Sequence, residues 1–124
     1  MWIKCNVNPA KNNTADCVIR ACVVALDKPW RQVSDEIYAL SRRYYLSMSD
    51  DRLWGRYLYQ AGFVPFLVSE SCPGCITIRR FCLFYPEGTY IIGTGSHAVA
   101  VVNGNYYDSW DSGEEIPSFF WRIK

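Results

Sequence analysis

The sequence predicts an α+β domain with N-terminal helices, one of them central and buried, packed on a C-terminal antiparallel sheet. Three observations predict it. Helical apolar spacing runs through residues 16–60, the period shortens after Gly62, and an Asn103-Gly104 pair separates two β-rich segments. The last is the strongest short-range hairpin signal. The chain has 124 residues, 50% hydrophobic and 16% aromatic, which fits a single domain over residues 1–124 with a real core.

The first helix is expected over about Asp16 to Leu26, "DCVIRACVVAL", after Asn12, Asn13 and Thr14, which suit caps and turns. A helix apolar nearly all round is a buried helix. Its polar exceptions, Asp16 and Arg20, are four apart and can pair. A second helix begins at Pro29, which suits the first helical position, and runs to about Arg43 with Val33, Ile37 and Leu40 as its core stripe. In "SDDRLWGRYLYQAGF", Ser49 is the expected N-cap of a third, Asp50 and Asp51 suit the first turn, and Gly62 ends it.

Beyond Gly62, "FVPFLV" reads as a strand that Pro65 assigns to an edge. A short helix "IRRFCLF" follows a Thr77 cap and stops before Pro86. "TYIIGT", "HAVAVV", "NYYDSW" and "FFWRI" then read as strands. Helices first and strands afterwards give segregated layers.

Composition excludes several functions. Thirteen basic residues against twelve acidic ones, net +1 and without a basic run, offer little to a phosphate backbone, so no nucleic-acid partner is expected. No stretch approaches the roughly 20 apolar residues that span a bilayer, so no membrane association is expected. "MWIKCNVNPAKNN" lacks a signal-peptide core, which points to the cytoplasm and to reduced thiols at Cys5, Cys17, Cys22, Cys72, Cys75 and Cys82.

A free thiol can be a nucleophile. The two-residue Asn103-Gly104 turn sets a register pairing Val102 with Asn105, and by extension Val99 with Asp108 and His97 with Trp110. Alternation then puts His97, Val99, Asp108 and Trp110 on one face, with His97 and Asp108 as diagonal neighbours and Trp110 as a lid. A His-Asp pair serves a nucleophile. Cys17 is the best of the six thiols, because the start of a helix favours a thiolate. The Cys17 N–H, with the Asn12 or Asn13 side-chain amide, would hold an oxyanion.

Cysteine at the head of a buried helix, histidine opening a later strand, and "DSW" at 108–110 resemble the papain-like cysteine peptidase superfamily. There the order is Cys, His, then Asn or Asp, and the tryptophan of an Asn-Ser-Trp motif shields the orienting residue. Size and "ADCVIRA" look closest to the bacteriocin-processing peptidase domains and their small phage and bacterial relatives. The resemblance covers about Asn12 to Trp110 and implies a minimal papain-like fold, with Cys17, His97 and Asp108 as triad and Trp110 as its shield. It also implies a peptide or protein substrate, no cofactor or metal, and the cytoplasm of a bacterium or an infected host cell. Two features depart from the pattern: no Gln lies ahead of Cys17, so Asn12 or Asn13 takes its place, and Val18-Ile19 follow where many members have Gly or small polar residues.

Each of the three residues alone has a simpler reading: a histidine bonded to a carbonyl, a small buried cysteine, an aspartate ending a strand. Their order and register together point to hydrolysis of a peptide or isopeptide bond through a Cys17 thioester. The same triad would serve acyl transfer of the transglutaminase type, and a binding module without catalysis is the third class. "CPGC" at 72–75 raises a thiol-disulfide oxidoreductase or half a zinc site completed by Cys82, Cys5 or His97. With Thr77 as the helix cap, and no parallel βαβ unit expected, it reads as a Pro-Gly turn carrying two thiols. Tyr44, Tyr45, Tyr57, Tyr59, Tyr106 and Tyr107, without basic interleaving, read as core edge or a peptide groove.

Overall fold

The computed structural model describes residues 1–9, 16–68 and 76–123. Its elements are β1 (Trp2–Lys4), α1 (Cys17–Leu26), α2 (Trp30–Tyr44), α3 (Asp51–Gln60), β2 (Phe63–Leu67), α4 (Ile78–Phe84), β3 (Thr89–Gly93), β4 (Ala98–Val102), β5 (Asn105–Asp108) and β6 (Phe119–Ile123). The α+β class holds. The strands form one six-stranded sheet, ordered β1-β5-β4-β3-β6-β2.

That sheet is mixed rather than antiparallel, because β1 joins the edge parallel to β5, with Lys4 opposite Asp108. Three residues are too few to show a period, so β1 had no signature in the sequence. β2 is the opposite edge, as Pro65 requires, since a proline cannot donate to a ladder.

Alternation along the strands separates two apolar clusters. On one face Ile91, Ala98 and Ala100 meet Val18, Ala21 and Cys22 of α1, backed by Val33 and Ile37 of α2 and Leu58 of α3. On the other, Tyr90, Ile92, Val99, Val101 and Tyr106 meet Ile78, Phe81 and Cys82 of α4. Side chains as deeply buried as Ile37, Leu58 and Ile91 each contribute about 1.5–3 kcal/mol. The alanines of β4 matter here: with only methyl groups on that face, α1 lies close on the strand.

Two local expectations are corrected. Pro29 is the N-cap of α2, extended at φ −60° and ψ 147°, so Trp30 is its first helical residue. Asp50, not Ser49, caps α3: its Oδ1 accepts the Arg52 N–H at 2.9 Å, while the Ser49 hydroxyl pairs with Ser47. α1 begins at Cys17, and Asn12, Asn13 and Thr14 lie outside the described residues. Thr77 does cap α4, accepting the Arg80 N–H at 3.2 Å.

Asn103 and Gly104 both take positive φ, 49° and 78°, as the type I′ turn of a two-residue hairpin requires. Gly104→Ala is expected to lower stability by about 1–2 kcal/mol, the cost of placing a Cβ in the left-handed region. Urea unfolding measures this, and an unchanged midpoint would contradict the assigned turn.

Candidate active site

The site is assembled from one helix start and the open end of one hairpin. Cys17 is the first residue of α1. His97 lies just before β4 and Asp108 ends β5, so both stand where the ladder runs out. His97 Nε2 is 2.6 Å from Asp108 Oδ2, and the two side chains are 10% and 4% exposed. The Cys17 thiol shares a cleft wall with His97 and Ala98, and both of them favour its thiolate. With Nε2 bound to Asp108, Nδ1 is the ring nitrogen left for sulfur.

The Trp110 ring lies 5.1 Å from that of His97, tilted by 34°, and covers it while remaining half exposed. One step of the register reading is corrected. The ladder pairs Ala100 with Tyr107, Val101 with Tyr106 and Val102 with Asn105, a register that extends to Val99 and Asp108 as expected. Trp110, however, is not a ladder partner of His97, since β5 ends at Asp108. His97 and Asp108 meet at the open end of the hairpin, where both strands run out.

Electrostatics favour the charged pair. Burial by itself would raise the Cys17 thiol. The hydrogen bonds from His97 and Ala98 and the charges of His97 and Arg20 outweigh it and hold the thiol below its ordinary 9.0. Burial also opposes the imidazolium, yet the bonds and charges of Asp108 and Cys17 raise His97 to about 9. Elsewhere burial raises thiols: Cys22 is pushed up to about 12, helped by the nearby Cys17, and Cys82 is also raised.

Asp108 is only 5% exposed and fully engaged. Besides His97, its carboxylate accepts from the Ser112 hydroxyl at 2.7 Å and from the Ser109 N–H at 2.8 Å. Its carbonyl accepts the Cys5 N–H at 2.9 Å and the Trp2 indole N–H at 3.2 Å, so the short β1 fixes the residue that orients His97. Nothing in the sequence marked Ser112 or Trp2 for this.

Arg20 links the two halves. It pairs with Asp16 at 3.1 Å, one turn back along α1, as its spacing predicted; the pair lacks hydrogen-bond alignment. It also donates to the Ser109 hydroxyl, beside Asp108. Asp16 is the N-cap residue of α1 but accepts nothing from the first turn; its carboxylate takes the Asn8 amide at 2.7 Å. The Cys17 and Val18 end of α1 therefore opens onto a cleft of about 190 Å³, bounded across the way by Asp51, Trp54 and Phe119.

Asn12 and Asn13, expected at the oxyanion, and Cys72 and Cys75 lie outside the described residues. Among the described residues, no group of three His, Cys, Asp or Glu is placed to hold a metal, and no helix is long and apolar enough to cross a membrane. The described residues thus bring together a thiol, an imidazole and a carboxylate in the relation a nucleophile, base and orienting group would have. The chain matches no protein-family model, no curated protein and no solved structure.

Two outcomes are expected. Iodoacetamide alkylation of Cys17, followed from pH 5 to 10, should reach half its maximum below pH 9.0. His97 holds its proton up to about 9, so at neutral pH the imidazolium stands beside the thiol. His97→Ala removes that cation and should move the midpoint upward; an unmoved midpoint would rule out the ion pair. Arg20→Met strands Asp16 as a buried charge and should cost about 3–5 kcal/mol in urea unfolding. The further change Asp16→Asn should restore more than half of it.

Proposed function

We propose that the protein is a cysteine peptidase of papain-like type, hydrolysing a peptide or isopeptide bond with Cys17 as nucleophile, His97 as acid and base, and Asp108 as the orienting group. The observation that carries the reading is that Cys17, at the start of α1, faces the His97 ring, which is itself held by Asp108 at 2.6 Å.

The Cys17 thiolate attacks the substrate carbonyl carbon and forms a C–S bond. The carbonyl oxygen takes the negative charge and turns toward the first-turn N–H groups of α1, the positive end of the helix. His97, already protonated, gives its proton to the leaving amine as the C–N bond breaks, which leaves a thioester on Cys17. Neutral His97 then removes a proton from water, whose oxygen attacks the thioester. The acid departs, and the thiolate and imidazolium are restored. Asp108 keeps one ring nitrogen occupied and steadies the cation.

The test begins with limiting iodoacetamide at neutral pH and mass mapping of the labelled residue; Cys17 is expected to react ahead of Cys5, Cys22 and Cys82. A mixed peptide library should then show cleavages that disappear in Cys17→Ala and fall by at least about 10³-fold in His97→Ala. Added amine separates hydrolysis from acyl transfer by trapping the acyl group as an amide. Uniform labelling of the thiols, or cleavage that survives Cys17→Ala, would end the proposal.

A further inference from the structure

We propose that the cleft beside Cys17 is a subsite for a cationic side chain, lysine or arginine, of a peptide substrate, with Asp51 as its counter-charge. The inference rests on the reading of Cys17 as nucleophile and adds the class of substrate. The cleft measures about 190 Å³, below the 300–1,000 Å³ of a site that encloses a whole small ligand. That suits one long side chain entering from a peptide that lies across the opening.

Its walls match such a side chain. The Phe119 ring, backed by the buried Trp54 with ring centroids 5.5 Å apart, gives the methylene stem an aromatic surface. Gly93 holds this wall in place: a Cβ there would lie 2.2 Å from the Phe119 ring, so the ring rests directly on the β3 backbone. The Ser49 and Ser96 hydroxyls stand at the exposed margin.

Charge selects the head group. Of the residues lining the cleft, Asp51 is the one formal charge besides the Cys17–His97 pair. One of its oxygens accepts the Trp54 indole N–H at 3.0 Å, which aims the carboxylate along the aromatic wall. The neighbouring cations are committed elsewhere. Arg52 makes two bonds to Asp50, at 2.9 and 3.1 Å, and Arg56 sits 4.6 Å over the Tyr44 ring. Among the described residues no Lys or Arg pairs with Asp51, so its second oxygen is available to a ligand. An acidic side chain in the same place would meet this carboxylate without a compensating cation.

Dipeptide acyloxymethyl ketones test the subsite. The thiolate displaces the carboxylate of such a probe, forming a C–S bond as the C–O bond breaks, and the rate of thioether formation at Cys17 is read by mass spectrometry. Lysine, arginine, norleucine or glutamate is placed one or two residues from the ketone. The lysine and arginine probes are expected to react about five- to tenfold faster than norleucine at one of the two positions, with glutamate slowest. Asp51→Asn keeps an oxygen for the Trp54 bond and should bring the lysine-to-norleucine ratio near one, whereas Asp51→Glu should retain the preference. Selective iodoacetamide labelling of wild-type Cys17 without a lysine or arginine preference, or a preference that survives Asp51→Asn, overturns the subsite and leaves the nucleophile standing. Absence of selective labelling by iodoacetamide and by every probe overturns both.

Discussion

Burial of the Asp108 carboxylate is the constraint on which the rest of the arrangement depends. An ionised carboxylate taken out of water costs several kcal/mol unless each oxygen is matched. Here the matching groups come from different stretches of chain: His97 before β4, Ser112 in the following turn, and the Ser109 N–H next door. Each must arrive for the others to be stable. The geometry of the imidazole is therefore specified by the same bonds that make the buried charge tolerable.

The same logic explains a strand of three residues. β1 adds little apolar burial, yet it supplies N–H groups from Cys5 and the Trp2 indole to the Asp108 carbonyl. A short edge strand also exposes few unpaired backbone groups. Its parallel direction follows from where it must end, with Lys4 opposite Asp108. A strand that looks dispensable by size thus fixes the backbone of the residue whose carboxylate holds His97, Ser109 and Ser112.

Most of the fold was legible in the sequence because its signals are local. The apolar stripe of α2, the Asn103-Gly104 turn and the Thr77 cap each act within a few residues, and the structure follows them. The site was legible only in outline. Cys17, His97 and Asp108 come together as their order suggested, yet the pairing invoked for Trp110 with His97 fails, since β5 ends at Asp108 and the period of two holds only while the strand lasts. Ser112, Trp2 and the Arg20 link to Ser109 were out of reach for another reason. Each depends on segments far apart in sequence meeting around one carboxylate, and a serine or a tryptophan carries no mark of that role. The Ser49 cap failed on a smaller point: neighbouring residues compete for the same helix start, and Asp50 provides the extended backbone and the charged acceptor.

Reactivity and folding are coupled at Cys17. The thiol is lowered by His97, the Ala98 amide and Arg20, of which two belong to the β4 side and one to its own helix. Arg20 also bonds Ser109, so the cation that favours the thiolate fastens α1 to the turn behind Asp108. The alanines of β4 let the helix lie close enough for all of these contacts. Away from that docking the lowering groups are lost together with the burial, and the thiol returns toward its ordinary 9.0. The charge state of Cys17 therefore reports how α1 is seated on the sheet, and a change that loosens the seat, even one far from the sulfur, would quench the thiolate before it unfolded the chain.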